Sequence, residues 1–89
     1  MPTLFQVGSY RVVVFLNDHR PPHVHVVGPD GHAKFELGAT PNDVTLVEND
    51  GIRAASLRQI AAAIIDRHQE CLENWETHHG NQSSNRQGS

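Results

Sequence analysis

Two adjacent prolines, Pro21 and Pro22, set the strongest constraint on how this chain folds. Neither can donate a backbone hydrogen bond, and Pro21 restricts the residue before it to extended geometry, so no helix can run through this point. The valine-rich segment that follows favours a strand, which we predict over 23–27. Because side chains alternate along a strand, His23 and His25 should share one face.

A turn after this strand predicts its hairpin partner. Pro29-Asp30-Gly31 combines a preset φ, an acceptor for an Asx hydrogen bond and a residue that tolerates positive φ. The partner strand is predicted over 32–37. Pairing Val27 with His32 makes one face of the hairpin wholly apolar and the other polar. This register sets four further pairs: Val24 with Phe35, Val26 with Ala33, His25 with Lys34, and His23 with Glu36.

The remaining hydrophobic pattern predicts more strands and then a helix. Short apolar runs indicate strands over 5–7, 10–16 and 44–48. From about Arg53 the apolar residues recur every three or four positions, as on one face of a helix. The stripe consists of Leu57, Ile60, Ala61, Ile64, His68, Leu72 and Trp75. We therefore expect an α+β fold, with a small antiparallel sheet of three to five strands and one long C-terminal helix packed on one face.

The start of this helix is left open by two capping patterns. Ser56 and Gln59 could form a capping box, whereas Asp50 could cap an earlier start. Within the helix, three residues are interpreted as structural. They are His68 as a packing residue, Cys71 as a small core residue, and Trp75 as the residue that closes the end of the core.

Composition indicates one small domain. The 89 residues are 37% hydrophobic and 19% charged, and the apolar residues are concentrated between Leu4 and Trp75. We expect a single α+β domain over 1–79 and a disordered polar tail over 80–89. A single cysteine excludes a disulfide within the chain and a multi-cysteine zinc site. The chain has no apolar run of roughly 20 residues and no signal-peptide pattern, so a cytoplasmic location without membrane contact is expected.

The net charge of the chain argues against one class of function, non-specific binding to nucleic acid. A net charge of −3 argues against strong non-specific binding to nucleic acid. The charge is uneven, however. Residues 1–35 contain three basic and two acidic residues, a net charge of +1, together with four histidines. Residues 36–89 contain four basic and eight acidic residues, a net charge of −4. A surface formed by the first part could therefore still bind a phosphate.

The histidine-rich segment supports a first functional interpretation, general acid–base chemistry on a phosphodiester. Histidine titrates near neutral pH, so one imidazole can accept a proton while another donates one. Residues two apart on a strand are separated by about 6.6 Å along its axis, a spacing that can bracket a phosphate. The proton-transfer candidates are His19, His23 and His25. Arg20 is the candidate for binding phosphate, with Arg11 as its alternative. This chemistry requires no cofactor.

A second interpretation is a site for zinc or another transition metal. His23 and His25 can converge on one ion, and Asp18 or His19 can supply a third ligand, which leaves an open coordination position. Glu36 would then be an outer-shell partner of His23. A structural interpretation also stands, in which both histidines form a solvated strand face beside Glu36 and Lys34. Two features outside this segment are interpreted without chemistry: His32 as an exposed residue and His78-His79 as an adventitious metal binder at a fraying helix end.

The string Asn17-Asp18-His19-Arg20-Pro21-Pro22-His23-Val24-His25 resembles a motif of a small bacterial family known only as a domain of unknown function. The resemblance covers about residues 1–77, and the helix end Leu72-Glu73-Asn74-Trp75 supports it; the polar tail is longer than is usual in the family. Members are often encoded beside another small protein, in an arrangement like a toxin–antitoxin pair. The resemblance therefore implies a tight protein partner and, for a toxin, RNA cleavage. It carries over no catalytic residues.

These observations favour a small toxin-like protein that cleaves RNA by metal-independent histidine chemistry and pairs with an antitoxin-like protein. Two alternatives stay open: a transition-metal-binding module and a non-catalytic protein-interaction domain. Assembly into a homo-oligomer is also left open.

Overall fold

The computed structural model describes residues 3–15 and 20–77. Within them, five strands form one antiparallel sheet in chain order, and two helices follow. The strands are β1 (Thr3–Val7), β2 (Tyr10–Val13), β3 (His23–Gly28), β4 (Gly31–Glu36) and β5 (Thr45–Asp50). A short 3-10 helix (Pro41–Asp43) precedes β5, and the helices are α1 (Ala54–Asp66) and α2 (His68–Trp75). The predicted α+β class and small antiparallel sheet are confirmed.

The hairpin formed by β3 and β4 has the predicted register. Val27 pairs with His32, and every other pair follows as expected from the match of apolar residues on one face. Gly28 also pairs with Gly31, so the connection narrows to Pro29 and Asp30. A Cβ atom at Gly28 would overlap the ring of Tyr10, whose hydroxyl donates to the two carboxylate oxygens of Asp30 at 2.8 and 3.0 Å.

The helices cover the apolar face of the sheet. Val24, Val26 and Phe35 from the hairpin are buried against Ile60 and Ile64 of α1. Cys71 and Trp75 of α2 belong to the same cluster, as the sequence predicts. Neither helix of the described residues is long and apolar enough to cross a membrane.

The helical segment is divided at Arg67, where one long helix was expected. Arg67 has φ −112° and ψ 26°, outside helical geometry. Directly after it, the buried His68 donates from Nε2 to the carbonyl oxygens of Leu37 and Gly38 at 3.0 and 3.2 Å. These bonds fix the start of α2 to the residues that follow β4. The interruption of the helix at Arg67 is therefore explained by a contact between distant parts of the chain.

Other boundaries also differ from the predictions. Strand β2 ends at Val13, whereas the strand was predicted to extend to residue 16. Residue 16 lies outside the described residues, as does the tail predicted over 80–89. Helix α1 starts after Arg53, whose side chain makes no capping bond, so neither predicted capping pattern is formed. The outer strands β1 and β5 each carry a register shift, opposite Val12–Val13 and Lys34–Phe35. Such bulges bend an edge strand and hinder its pairing with strands of other chains.

Replacing His68 by alanine should lower the free energy of unfolding by about 2–3 kcal/mol. The substitution leaves two carbonyl groups in a buried region without their donor. Urea denaturation measures the change. The matched control is His32→Ala, because the side chain of His32 is 60% exposed and its loss should cost under about 0.5 kcal/mol. Equal losses in the two variants would contradict the anchoring role of His68.

Candidate functional site

The face of the sheet opposite the helices is largely polar. The ladder places Val13, His25, Lys34 and Glu48 in one row across β2 to β5. His23 lies in the next row, opposite Glu36. Because side chains alternate along a strand, this register places His23 and His25 on one face, beside Lys34 and Glu36, as the sequence predicts.

The two histidines differ in their surroundings. His23 is only 5% exposed, whereas His25 is half-buried. The ring centroids are 5.1 Å apart, with an interplanar angle of 71°. The expectation of a solvated strand face is therefore wrong for His23, although the two rings do lie together.

A hydrogen bond sets the tautomer of His23. Its Nδ1 lies 2.8 Å from the carbonyl oxygen of Pro21, and because a carbonyl can only accept, Nδ1 carries the hydrogen. In the neutral ring, Nε2 is then the basic nitrogen. The loop that contains the two prolines thus orients the imidazole that follows it.

Aromatic rings connect the polar face to the end of α2. Phe15 lies against His25, with centroids 4.1 Å apart. The ring of His23 also contacts His25, and Trp75 is 6.5 Å from His23. These ring contacts restrict the rotamers of the imidazoles, as a functional site requires.

Arg20, the predicted phosphate-binding residue, contacts the end of α2. Its Nη2 lies 3.2 Å from Oε1 of Glu76, and its guanidinium carbon lies 5.1 Å from the centroid of Trp75. Both charged side chains are exposed, at 59% and 40%. An ion pair this exposed contributes only about 0.2–1 kcal/mol. The ion pair between Arg20 and Glu76 can therefore be broken at small cost.

A Glu76→Gln variant should bind short single-stranded RNA up to about fivefold more tightly than the unmodified chain. The substitution removes the carboxylate that competes for Arg20, and fivefold corresponds to the upper value for an exposed ion pair. Fluorescence anisotropy at low salt measures the affinity. Glu73→Gln is the control, because it removes the same charge from a side chain that accepts a bond from Gln69. Equal gains in both variants would reduce the effect to net charge.

The remaining predicted residues lie outside the part of the chain that the structure describes. They are Asp18 and His19, which complete the predicted metal site and the proton-transfer set, and His78 and His79. Among residues 3–15 and 20–77, no group of three or more His, Cys, Asp or Glu side chains could hold a metal ion. Both the predicted metal site and the catalytic set stay predictions.

The cysteine offers no nucleophile. Burial and, to a smaller extent, the negative charge of Glu70 raise the pKa of the Cys71 thiol to about 11, against a small lowering by Arg67. At neutral pH the thiolate is therefore a minute fraction, and a thiol without thiolate character is inert. Cys71 serves the core, as predicted.

Sequence reasoning missed two residues of this arrangement. Phe15 lies two positions after Val13, and continued alternation along the strand would have placed it on the histidine face. Glu76 gave no signal, because its partner Arg20 lies 56 positions earlier in the chain.

Comparison with known proteins gives one assignment. No match was found among curated proteins or among solved structures. A family model described as "Domain of unknown function (DUF4160)" matches residues 9–76, which include all of β2 to α2 and the histidine segment. This match spans well over half of the chain. The chain therefore belongs to the DUF4160 family.

Proposed function

We propose that this chain is the toxin-like component of a toxin–antitoxin-type pair and cleaves RNA by histidine acid–base chemistry. The observation that supports it most is the pair of imidazoles, His23 and His25, with ring centroids 5.1 Å apart on one face. Hydrogen bonds from ring nitrogens to oxygen are about 2.9 Å long, so a phosphodiester bound at the half-buried His25 would lie close to the ring of His23.

The chemistry assigns the half-buried His25 to contact with the substrate. It accepts the proton of the ribose 2′-hydroxyl as that oxygen attacks the adjacent phosphorus. The 5′-oxygen leaves and takes a proton from a second imidazole. The products are a 2′,3′-cyclic phosphate and a 5′-hydroxyl end. His23 and His19 are the candidates for the second imidazole, and no metal takes part in any step.

Charge stabilisation is assigned to Arg20 and Lys34. Lys34 lies directly opposite His25 on β4, so its ammonium can approach a phosphate held at that ring. Arg20 lies on the loop before His23, and its guanidinium contacts Glu76 through an exposed ion pair and lies over the ring of Trp75. Two cations offset the acidic net charge of the chain at this one place.

One observation also favours the metal-binding alternative. Metal-bound histidines usually donate the second ring nitrogen to a carbonyl or carboxylate, as Nδ1 of His23 does to Pro21. Nε2 of His23, together with His25 and either Asp18 or His19, would then hold zinc or another transition metal. Metal content distinguishes this alternative from the proposed cleavage.

Growth on induced expression tests the proposal in cells. The unmodified chain should arrest growth, whereas His25→Ala, which removes the substrate-contacting imidazole, should restore it. His32→Ala is the matched control, because its exposed ring lies in a different row of the same face and should leave the arrest intact. Circular dichroism and soluble yield confirm that the variants fold. Failure of the unmodified chain to arrest growth, or equal arrest by His25→Ala, would contradict the proposal.

A further inference from the structure

We infer that the outer edge of β5 binds an extended segment of a partner protein, which adds to the sheet as a further strand and carries basic side chains. The inference rests on the proposed function in one respect, since a toxin-like chain requires a protein partner. It adds the surface on which that partner docks and the chemistry of the docking segment.

Strand β5 has the exposure of a docking edge. It ends the sheet order, and in the part of the chain that the structure describes it pairs with β4 alone. All six of its residues are exposed. Leu46 and Val47 are 41% and 44% exposed, and they are two of the three large hydrophobic residues that are exposed in the described part. An edge strand offers unpaired N–H and C=O groups, and apolar side chains add contact area to the backbone pairing.

Both ends of β5 are held in place before any partner binds. At its start, the hydroxyl of Thr45 donates to the carbonyl oxygen of Asp43 at 2.9 Å. At its end, the side chain of Asn49 donates to the carbonyl of Ile52 and accepts from its N–H, both at 3.1 Å. A strand already fixed in extended form loses little conformational entropy on pairing, so more of the contact energy appears as affinity.

The charges of β5 indicate which kind of segment pairs with this edge. Glu48 and Asp50 are the charged residues of this strand, and both are acidic. A second copy of the chain would place four carboxylates along one shared seam, and like charges opposite each other destabilise strand pairing. A basic segment would neutralise them. Complementary charge of this kind gives specificity and speeds association.

The bulge on β5 is compatible with this role. The register shift places Val47 as an extra residue between the pairs Lys34–Glu48 and Phe35–Leu46. Together with the two acids, the bulge hinders pairing with arbitrary strands. A partner must therefore match both the bend and the charge, which is how an edge can reject most chains and still bind one.

A peptide titration tests the inference on the full-length chain without RNA. The probe is a ten-residue peptide with lysine and valine at alternate positions, and its control has glutamate in place of lysine. Backbone amide shifts in two-dimensional NMR spectra should map lysine-peptide binding to residues 45–50. The double variant Glu48→Gln/Asp50→Asn should weaken binding at least fivefold. Glu70→Gln/Glu73→Gln, which removes the same charge from α2, should leave it unchanged.

Several outcomes would overturn the inference. They are shifts centred elsewhere, equal binding of the two peptides, no binding of the lysine peptide up to about 1 mM, or dimerisation of the chain through β5 in sedimentation experiments. A His25→Ala variant separates this inference from the proposed function. It should bind the lysine peptide as the unmodified chain does while failing to arrest growth, so each proposal can fail without the other.

Discussion

An Ile64→Ala variant is expected to lose about 2–5 kcal/mol of free energy of unfolding, whereas Ile65→Ala should lose under about 1 kcal/mol. The two residues are adjacent on α1 and have the same side chain. Ile64 is 0% exposed and packs in the core, whereas Ile65 is 42% exposed. Truncation at Ile64 removes buried methyl groups and leaves a cavity, whereas truncation at Ile65 removes groups that largely contact water already. Chemical denaturation monitored by the fluorescence of Trp75 measures both.

This pair tests which face of the helix packs on the sheet. Both substitutions have the same effect on helix propensity, so the difference between the variants reports packing alone. A domain of this size is stable by only several kcal/mol, and Ile64→Ala should therefore bring it close to unfolding at room temperature. Similar losses at the two positions would contradict the packing of α1 against Val24 and Phe35.

The second large effect concerns the proposed cleavage of RNA. His25→Ala should slow cleavage of a short single-stranded RNA by about 10²–10⁴-fold, the usual contribution of a general acid or base. The unmodified chain should show a bell-shaped dependence of rate on pH, because one imidazole must be neutral and another protonated. His25→Ala should lose the limb of that profile that depends on the base. Single-turnover rates over a range of pH values measure both effects.

His32→Ala serves as control here as well, with an unchanged rate and pH profile expected. A second control, Phe15→Leu, keeps an apolar side chain beside His25 but removes the ring that lies 4.1 Å from it. It should reduce the rate less than His25→Ala does, without changing the shape of the profile. If the rate of His25→Ala fell within about threefold of the unmodified rate, His25 would have no role in proton transfer.

The hairpin and its polar face could be predicted because the physical rules that set them are local. With the short turn at Pro29 and Asp30, the register between β3 and β4 places Val24 and Val26 opposite apolar partners, and that register necessarily places His25 opposite Lys34. The core residues of the helical segment were equally predictable from their period, as Ile60, Ile64 and Trp75 show.

The rest could not be predicted because it depends on contacts between distant parts of the chain. The apolar stripe continues through Arg67 without interruption, so the break there became visible only with the bonds from His68 to the end of β4. The burial of His23 likewise depends on how α2 brings Trp75 towards the end of the sheet. Periodicity indicates which face of an element is buried, but not which of its polar residues another element covers.

Analysis of the cleaved RNA ends, with purified chain in excess chelator, tests the central claim most directly. Histidine acid–base chemistry predicts undiminished cleavage under these conditions, and the 5′ fragments should carry 2′,3′-cyclic phosphate ends. The same protein, purified without an affinity tag, should contain no stoichiometric transition metal. Cleavage that stops with chelator, or stoichiometric zinc that is lost in His25→Ala, would contradict the claim and assign His23 and His25 to a metal site.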